Sequence, residues 1–166
     1  TTASNAVRIS RAAWEMGASL EGTKFIVSGE PFTDAKQEMV GRVGATTTSR
    51  YSFTEGGIVG FGCGNPVVAD EIHINQYMLT AVSCPTPLDR DAAIRPLLFT
   101  TVQPLGVSSL LNVENGDYGI LETRQCGCAL QKLGLTYHLH HIRSYEKFTS
   151  EGMNYFYGDL YEFFEQ

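Results

Sequence analysis

Three cysteines and a histidine stand in a pattern that suits metal binding: Cys63, then His73, then Cys126-Gly127-Cys128. Three thiolates and one imidazole make a closed tetrahedral set for structural Zn²⁺. Gly127 lets the two flanking thiolates turn towards one centre. One intervening residue is a poor spacing for a disulfide between them, and four cysteines in 166 residues are too sparse for a disulfide scaffold. Free thiols point to a reducing compartment, hence the cytoplasm. His73 lies in the alternation Glu71-Ile72-His73-Ile74-Asn75, which places it on the polar face of a strand, uncommitted to the apolar core. Without a metal, the same residues are three unrelated buried thiols and a surface histidine. Cys84, beside Pro85, reads as a plain core thiol. A competing cluster is His138, His140 and His141. The first two share a strand face and could share a metal; the plainer reading buries Leu139 and leaves the imidazoles in water.

Other residues suit phosphate and ribose chemistry. Tyr51-Ser52-Phe53-Thr54-Glu55-Gly56-Gly57 sets a hydroxyl and a carboxylate in a loop after a strand. Loops at the carboxyl ends of parallel strands are where α/β sheets bind ligands. A threonine hydroxyl can bond a phosphate oxygen, and a glutamate can hold Mg²⁺. Ser28-Gly29-Glu30-Pro31 ends the preceding strand, on the same sheet edge, where glycine permits close approach to a flat ring. Asn115-Gly116-Asp117 reads as a hairpin turn or as a carboxylate for a ribose diol, and Arg143 closes a strand. Each loop, taken alone, is equally an ordinary turn.

The elements that must position these residues fall into two styles. Ala6, Ile9, Ala13 and Met16 give a helical stripe stopped by Gly17. Phe25-Ile26-Val27 is a short buried strand. Asp34 with Gln37 resembles a helix N-terminus, with Ala35, Met39 and Val43 on the buried side. Ala45 to Arg50 suits a strand. Residues 1–57 therefore form an α/β unit. Residues 58–143 are short β-like runs, including Leu97-Leu98-Phe99, Ser109-Leu110-Leu111, Tyr118 to Leu121 and Leu135 to Ile142, with Pro96 at a strand start. We expect a mostly antiparallel β region there, a small distorted barrel, giving an α+β chain. A short helix over residues 158–166 would carry Leu160, Phe163 and Phe164 on one side. Trp14 and the aromatic residues Tyr155, Phe156, Tyr157, Tyr161, Phe163 and Phe164 read as packing surface.

Composition narrows the partners. The chain is 43% hydrophobic and 18% charged, which is globular, and its formal charge of −6 argues against nucleic acid, including a zinc-ribbon binder. No apolar run approaches the ~20 residues that span a bilayer, so no membrane partner is expected. Thr1 is not a natural initiator, and the chain stops without a cap or a polar tail, so a piece of a longer protein is expected. Composition leaves oligomerisation open.

Taken together, Gly29-Glu30-Pro31, Tyr51-x-x-Thr54-Glu55, Gly116-Asp117, Arg143-Ser144-x-Glu146 and Gly152-x-Asn154-x-Phe156 resemble the series found in the adenylate-forming superfamily of acyl-CoA synthetases. The pattern is most similar to the phenylacetate–CoA ligase branch, whose β region also carries a C-x-C and leads into a hinge, and some members of which have similarly placed Cys and His residues. The resemblance runs through nearly all of this chain but covers only the middle of a family member. It implies part of a large N-terminal domain plus the start of a C-terminal one, with residues 144–166 as hinge and beginning of the latter. It implies ATP, a small aryl or short acyl carboxylic acid and coenzyme A as substrates, passing through an acyl-adenylate and AMP. Gly29, Glu30 and Pro31 would line the adenine pocket, and Tyr51 and Ser52 would flank adenine and acyl group. Thr54 would meet the α-phosphate and Glu55 Mg²⁺. Asp117 would hold the ribose with help from Arg143, and Tyr145 falls at the hinge. The family's G-R-x-D-D stands here as Ile142-Arg143-Ser144-Tyr145-Glu146. Its Ser/Thr/Gly-rich phosphate loop with lysine, and its late catalytic lysine, do not occur; Gly44 to Thr48 mimics the loop only superficially. The expectation is an active parent enzyme and an inactive isolated chain. The rival expectation is a zinc-stabilised module of the same fold that binds a nucleotide or protein without turnover.

Overall fold

In a computed structural model, which describes residues 1–88, 93–103, 108–150 and 153–156, helix α1 spans Ala3–Glu15. The Thr2 hydroxyl caps it, accepting the Asn5 N–H at 3.2 Å. Its buried stripe is Ala3, Ala6, Ser10 and Ala13. Ile9 and Met16, expected on that stripe, face solvent, Met16 being 81% exposed. The small residues win because they let the helix lie close against helix α2 (Asp34–Gly41) and strand β1 (Lys24–Val27). Thr33, not Asp34, caps α2, accepting from Lys36 N–H at 3.4 Å. The Asp34 carboxylate instead accepts the Ala69 N–H at 2.8 Å, tying α2 to a later loop. Val40 and Val43 are buried, while Ala35 is exposed.

Strand β1 runs parallel to β2 (Thr46–Phe53), pairing Lys24 with Thr46 through Val27 with Ser49. Contrary to the expected buried strand, β1 is an end strand with Ile26 55% exposed. The remaining strands are β3 (Gly57–Gly62), β4 (Ile72–Ile74), β5 (Leu79–Ser83), β6 (Pro96–Thr101), β7 (Val113–Thr123) and β8 (Tyr137–Ser144). They extend the same sheet antiparallel, in the order β1-β2-β3-β4-β8-β7-β6-β5. The sheet is open: β1 and β5 are its ends and do not pair, so the expected small barrel is not formed among the described residues. One apolar cluster lies between the helices and the parallel strands, around Val27, Phe32 and Val40. A second, around Ile72, Ile74, Leu97, Phe99 and Leu139, supports the antiparallel part.

Several local expectations change. Ser109-Leu110-Leu111 is not a strand. The Thr101 hydroxyl bonds both Ser108 O and Leu110 N–H, which holds these residues beside the end of β6, and Leu111 is 78% exposed. Asn115-Gly116-Asp117 is no hairpin turn but lies inside β7, with Gly116 at φ 80°. Cys84 is half-buried at the end of β5 rather than in the core, and Trp14 is exposed. Helix α3 (Ala129–Lys132) follows Cys128, and β9 (Lys147–Ser150) pairs with β10 (Met153–Phe156) as a separate hairpin. The helix expected at 158–166, with Tyr157, Tyr161, Phe163 and Phe164, lies outside the described residues. Among the described residues, no helix is long and apolar enough to cross a membrane.

At Gly60, β3 lies tight against β4. A Cβ there would lie 2.3 Å from the His73 carbonyl oxygen and 2.6 Å from Ile72 Cδ1. Backbone cannot yield as a flexible side chain does. Gly60→Ala is therefore expected to lower unfolding free energy by about 1–3 kcal/mol, the cost of overpacking, as read by urea denaturation. Unchanged stability would mean that the two strands have room to part.

Candidate functional site

The carboxyl ends of β1 and β2 open onto a cleft of about 1350 Å³. The turn after β1 brings Gly29, Glu30 and Pro31 to it. The end of β2 brings Tyr51 and Ser52, and the turn before β3 brings Thr54 and Glu55. Asp117 enters from β7 and Arg143 from β8. Nine residues singled out from sequence thus line one cavity. Tyr145 does not line it; it is buried, with its hydroxyl on Glu114 and its N–H on Gly116 O.

Inside the cleft the polar groups are already linked. The Glu30 carboxylate accepts Ser4 N–H at 2.8 Å and Ser4 Oγ at 2.6 Å, holding the first turn of α1. Ser28 and Ser52 hydroxyls meet at 3.5 Å across the two parallel strand ends. The Tyr51 hydroxyl donates to Asp117 Oδ2 at 2.5 Å, and Asn115 Nδ2 donates to both, at 2.7 and 3.1 Å. Burial raises the pKa of Asp117; the Tyr51 hydroxyl and the Lys147 charge offset this only in part. Burial, then the Asp117 charge, pushes Tyr51 well above the ordinary tyrosine value. Thr54 and Glu55 are exposed on their turn, where a phosphate or a hydrated cation can reach them. Asn115, two residues before Asp117, was missed from sequence because the motif was read as a turn.

A second constellation gathers at the end of β3, in β4 and in the segment between β7 and α3. Cys63 Sγ, His73 Nε2, Cys126 Sγ and Cys128 Sγ fall within 4.8 Å of one another. Nε2 is 3.5 Å from Cys126 Sγ and 3.2 Å from Cys128 Sγ. A tetrahedral Zn²⁺ with bonds of about 2.3 Å to sulfur and 2.0–2.1 Å to nitrogen sets those pairs about 3.6 Å apart, so the donors fit an ion with little adjustment. The His73 ring is fully buried, not on a wet face. Its Nδ1 lies 2.7 Å from Leu135 O. A carbonyl can only accept, so Nδ1 carries the proton and the Nε2 lone pair faces the thiols, the outer-shell arrangement of metal-binding histidines. Burial pushes the Cys63 thiol up to about 12, against the Asn65 N–H. For Cys128 burial acts the same way but is outweighed. N–H groups of Gln131, Gly64 and Leu130, with the Cys126 thiol, bring it down to about 6. Leu130 and Gln131 supply theirs from the first turn of α3, and Gly64 from the loop after β3.

Behind these donors sits buried Glu71, whose place in an alternating strand carries no sign of such a role. It accepts from Val67 N–H at 2.6 Å, from the Arg124 guanidinium and from His138 Nδ1 at 2.5 Å. Burial raises its pKa, but Arg124, Val67 and His138 together lower it below the usual range. Arg124 also reaches Cys63 Sγ at 3.6 Å, placing a positive charge beside the thiol set. The expectation of imidazoles in water fails for His138, fully buried against Glu71 and packed at a tilt against the His73 ring, and for His140, also buried. Only His141 is exposed. Cys63, Glu71 and His138 form a second close group, but the carboxylate there is already committed to Arg124 and His138, so the Cys₃His set is the better donor cage.

No protein-family model matches the chain, and no curated protein matches its sequence. Solved structures do match. One is a crystal structure of 2-hydroxyisobutyryl-CoA ligase in the postadenylation state, in complex with R3-HIB-AMP. It superposes with a TM-score of 0.61 over 94% of this chain, at 19% identity. This chain shares the fold of part of an adenylate-forming CoA ligase. It spans 34% of that ligase's length.

Proposed function

We propose that the chain is a segment of an ATP-dependent carboxylate–CoA ligase of the phenylacetate–CoA ligase-like branch, braced by structural Zn²⁺. The observation that carries this reading is the gathering of four separate sequence segments into one cleft at the carboxyl ends of the parallel strands, in a fold shared with a CoA ligase. In this reading Gly29, Glu30 and Pro31 border adenine, with Glu30 fixed by Ser4. Tyr51 and Ser52 flank the adenine and acyl groups, Asp117 and Arg143 hold the ribose, and Tyr145 marks the hinge. Thr54 bonds the α-phosphate and Glu55 holds Mg²⁺. Carboxylate attack on the α-phosphate gives acyl-adenylate and pyrophosphate, and the thiol of coenzyme A then displaces AMP. Positioning and electrostatics dominate such chemistry. The sequence carries neither the family's phosphate-loop lysine nor its late lysine, so the chain alone does not turn over. In this reading the chain is cytoplasmic, which its free thiols support.

A second reading, a non-catalytic zinc-stabilised binding module, is favoured by the closed four-donor character of the Cys₃His set, which leaves no open position for substrate. Calorimetry with Mg-ATP and pyrophosphate exchange separate the two. The ligase reading expects Mg-dependent ATP binding by this chain, weakened by Glu55→Gln, with exchange at background for any carboxylate. ATP binding indifferent to Mg²⁺ and to Glu55→Gln would favour the module. Exchange above background that Glu55→Ala abolishes would show that the chain is itself active.

A further inference from the structure

Strand β8 contains a bulge where it passes the cleft. On β7, Tyr118 and Ile120 are two positions apart; their partners on β8, Arg143 and His140, are three apart. The extra residue lies in His141–Ile142. His141 has φ 54°, in the left-handed region that a β-carbon disfavours. Bulges beside functional sites re-aim side chains, and a non-glycine residue in this conformation persists only where its surroundings enforce it.

The enforcing group is Asp70. This buried carboxylate accepts the His141 N–H on Oδ1 and the Ile142 N–H on Oδ2, both at 3.0 Å. Two successive N–H groups around a left-handed residue form a concavity suited to an anion, and here the protein supplies its own. Asp70 Oδ2 also accepts Arg143 Nη1 at 2.9 Å, and the same Nη1 donates to Ile142 O at 2.6 Å. Arg143 is thus anchored to the inner face of its own bulge. The Asp70 segment is fixed from both sides. Ser49 Oγ donates to Ala69 O at 2.8 Å, Asp34 accepts Ala69 N–H, and Glu71 is locked behind the Cys₃His set.

We propose that Asp70 is the positioning residue for Arg143: by closing the β8 bulge around its carboxylate, it fixes the guanidinium in the cleft for a nucleotide. The assignment of Arg143 to a nucleotide rests on the reading given above; the clamp itself does not. Two measurements test the pair separately. In Asp70→Asn, hydrogen exchange at the His141 and Ile142 amides is expected to quicken at least about tenfold, while other β7–β8 amides keep their protection. AMP affinity by calorimetry should fall about tenfold in Asp70→Asn and at least as far in Arg143→Ala, with the double variant no weaker than Arg143→Ala. A residue that merely supports the fold would instead give additive losses. Should Asp70→Asn fold poorly, Asp70→Asn with His141→Gly, which removes the left-handed strain, is compared with His141→Gly alone. Unchanged exchange at those amides, or additive losses in the double variant, overturns the proposal. Faster exchange with AMP binding absent or unaffected by Arg143→Ala overturns the nucleotide reading and leaves the clamp standing.

Discussion

Stripping metal from the chain with a strong chelator is expected to lower its melting temperature by about 10 °C or more, with loss of about one Zn²⁺ per chain. Cys63 and His73 lie at β3 and β4, while Cys126 and Cys128 precede β8. A shared ion therefore closes a long loop that runs through β5, β6 and β7. By the chain-entropy estimate for covalent cross-links, closure on that scale is worth about 4 kcal/mol. A chain of this size shifts by roughly 2–4 °C per kcal/mol. Metal affinity adds to folding free energy because the four donors are not assembled in the unfolded chain. Cys126→Ser should reproduce the loss without chelator, and His73→Ala should release the ion, since Nε2 is the atom facing the thiols. Cys84→Ser, remote from the set, should leave zinc content unchanged. Native mass spectrometry showing metal-free protein, with melting indifferent to chelator, would sink the site. Zinc retained in His73→Ala but lost when His138 and His140 are replaced would move it to the histidine strand.

Most of the site was legible because its residues are local signals. Cys126-Gly127-Cys128 and Tyr51-x-x-Thr54-Glu55 announce themselves by type and spacing, and strand ends place them on a sheet edge. Pairwise burial was less legible. His73 was placed correctly opposite Ile72 and Ile74, yet alternation could not show that this face is covered by the segment holding Leu135 and Cys128. For the same reason His138 and His140 read as wet. Glu71 read only as a polar residue of an alternating strand, and Asp70 carried no signal of its own; their partners, Arg124 for Glu71 and Arg143 for Asp70, are far away in sequence. Asn115-Gly116-Asp117 carries turn chemistry, but β7 runs on through it, since Gly116 adopts φ 80° and Asn115 bonds Asp117 N–H within the strand. The open sheet was missed because strand count and turn spacing do not say whether the end strands meet.

Replacing Asp117 should separate binding from stability. Its carboxylate is held in a buried position at a cost, since burial raises its pKa and the native state keeps the proton more tightly than the unfolded chain. Between the ordinary aspartate pKa and the raised native value, the folded state binds more protons, so this group's contribution is full below that window and is lost as pH rises through it. Asp117→Asn removes the penalty and keeps an oxygen for the Tyr51 hydroxyl, so its melting temperature at neutral pH should equal or exceed that of the parent chain. Nucleotide binding should respond the other way. A ribose diol donates two hydrogen bonds, which an ionised carboxylate accepts and an amide cannot match. Bonds to a charged group are worth roughly 1.5–3 kcal/mol, so Asp117→Ala and Asp117→Asn should weaken AMP binding by about ten- to over a hundredfold. In the parent chain AMP affinity should strengthen as pH rises through the raised Asp117 value, and that dependence should vanish in Asp117→Asn. Tyr51→Phe, which removes the hydroxyl now occupying Asp117 Oδ2, should leave the carboxylate freer for the diol and bind AMP at least as well. An Asp117→Asn chain that melts earlier yet binds AMP unchanged would make Asp117 a structural partner of Tyr51 and remove it from the nucleotide site.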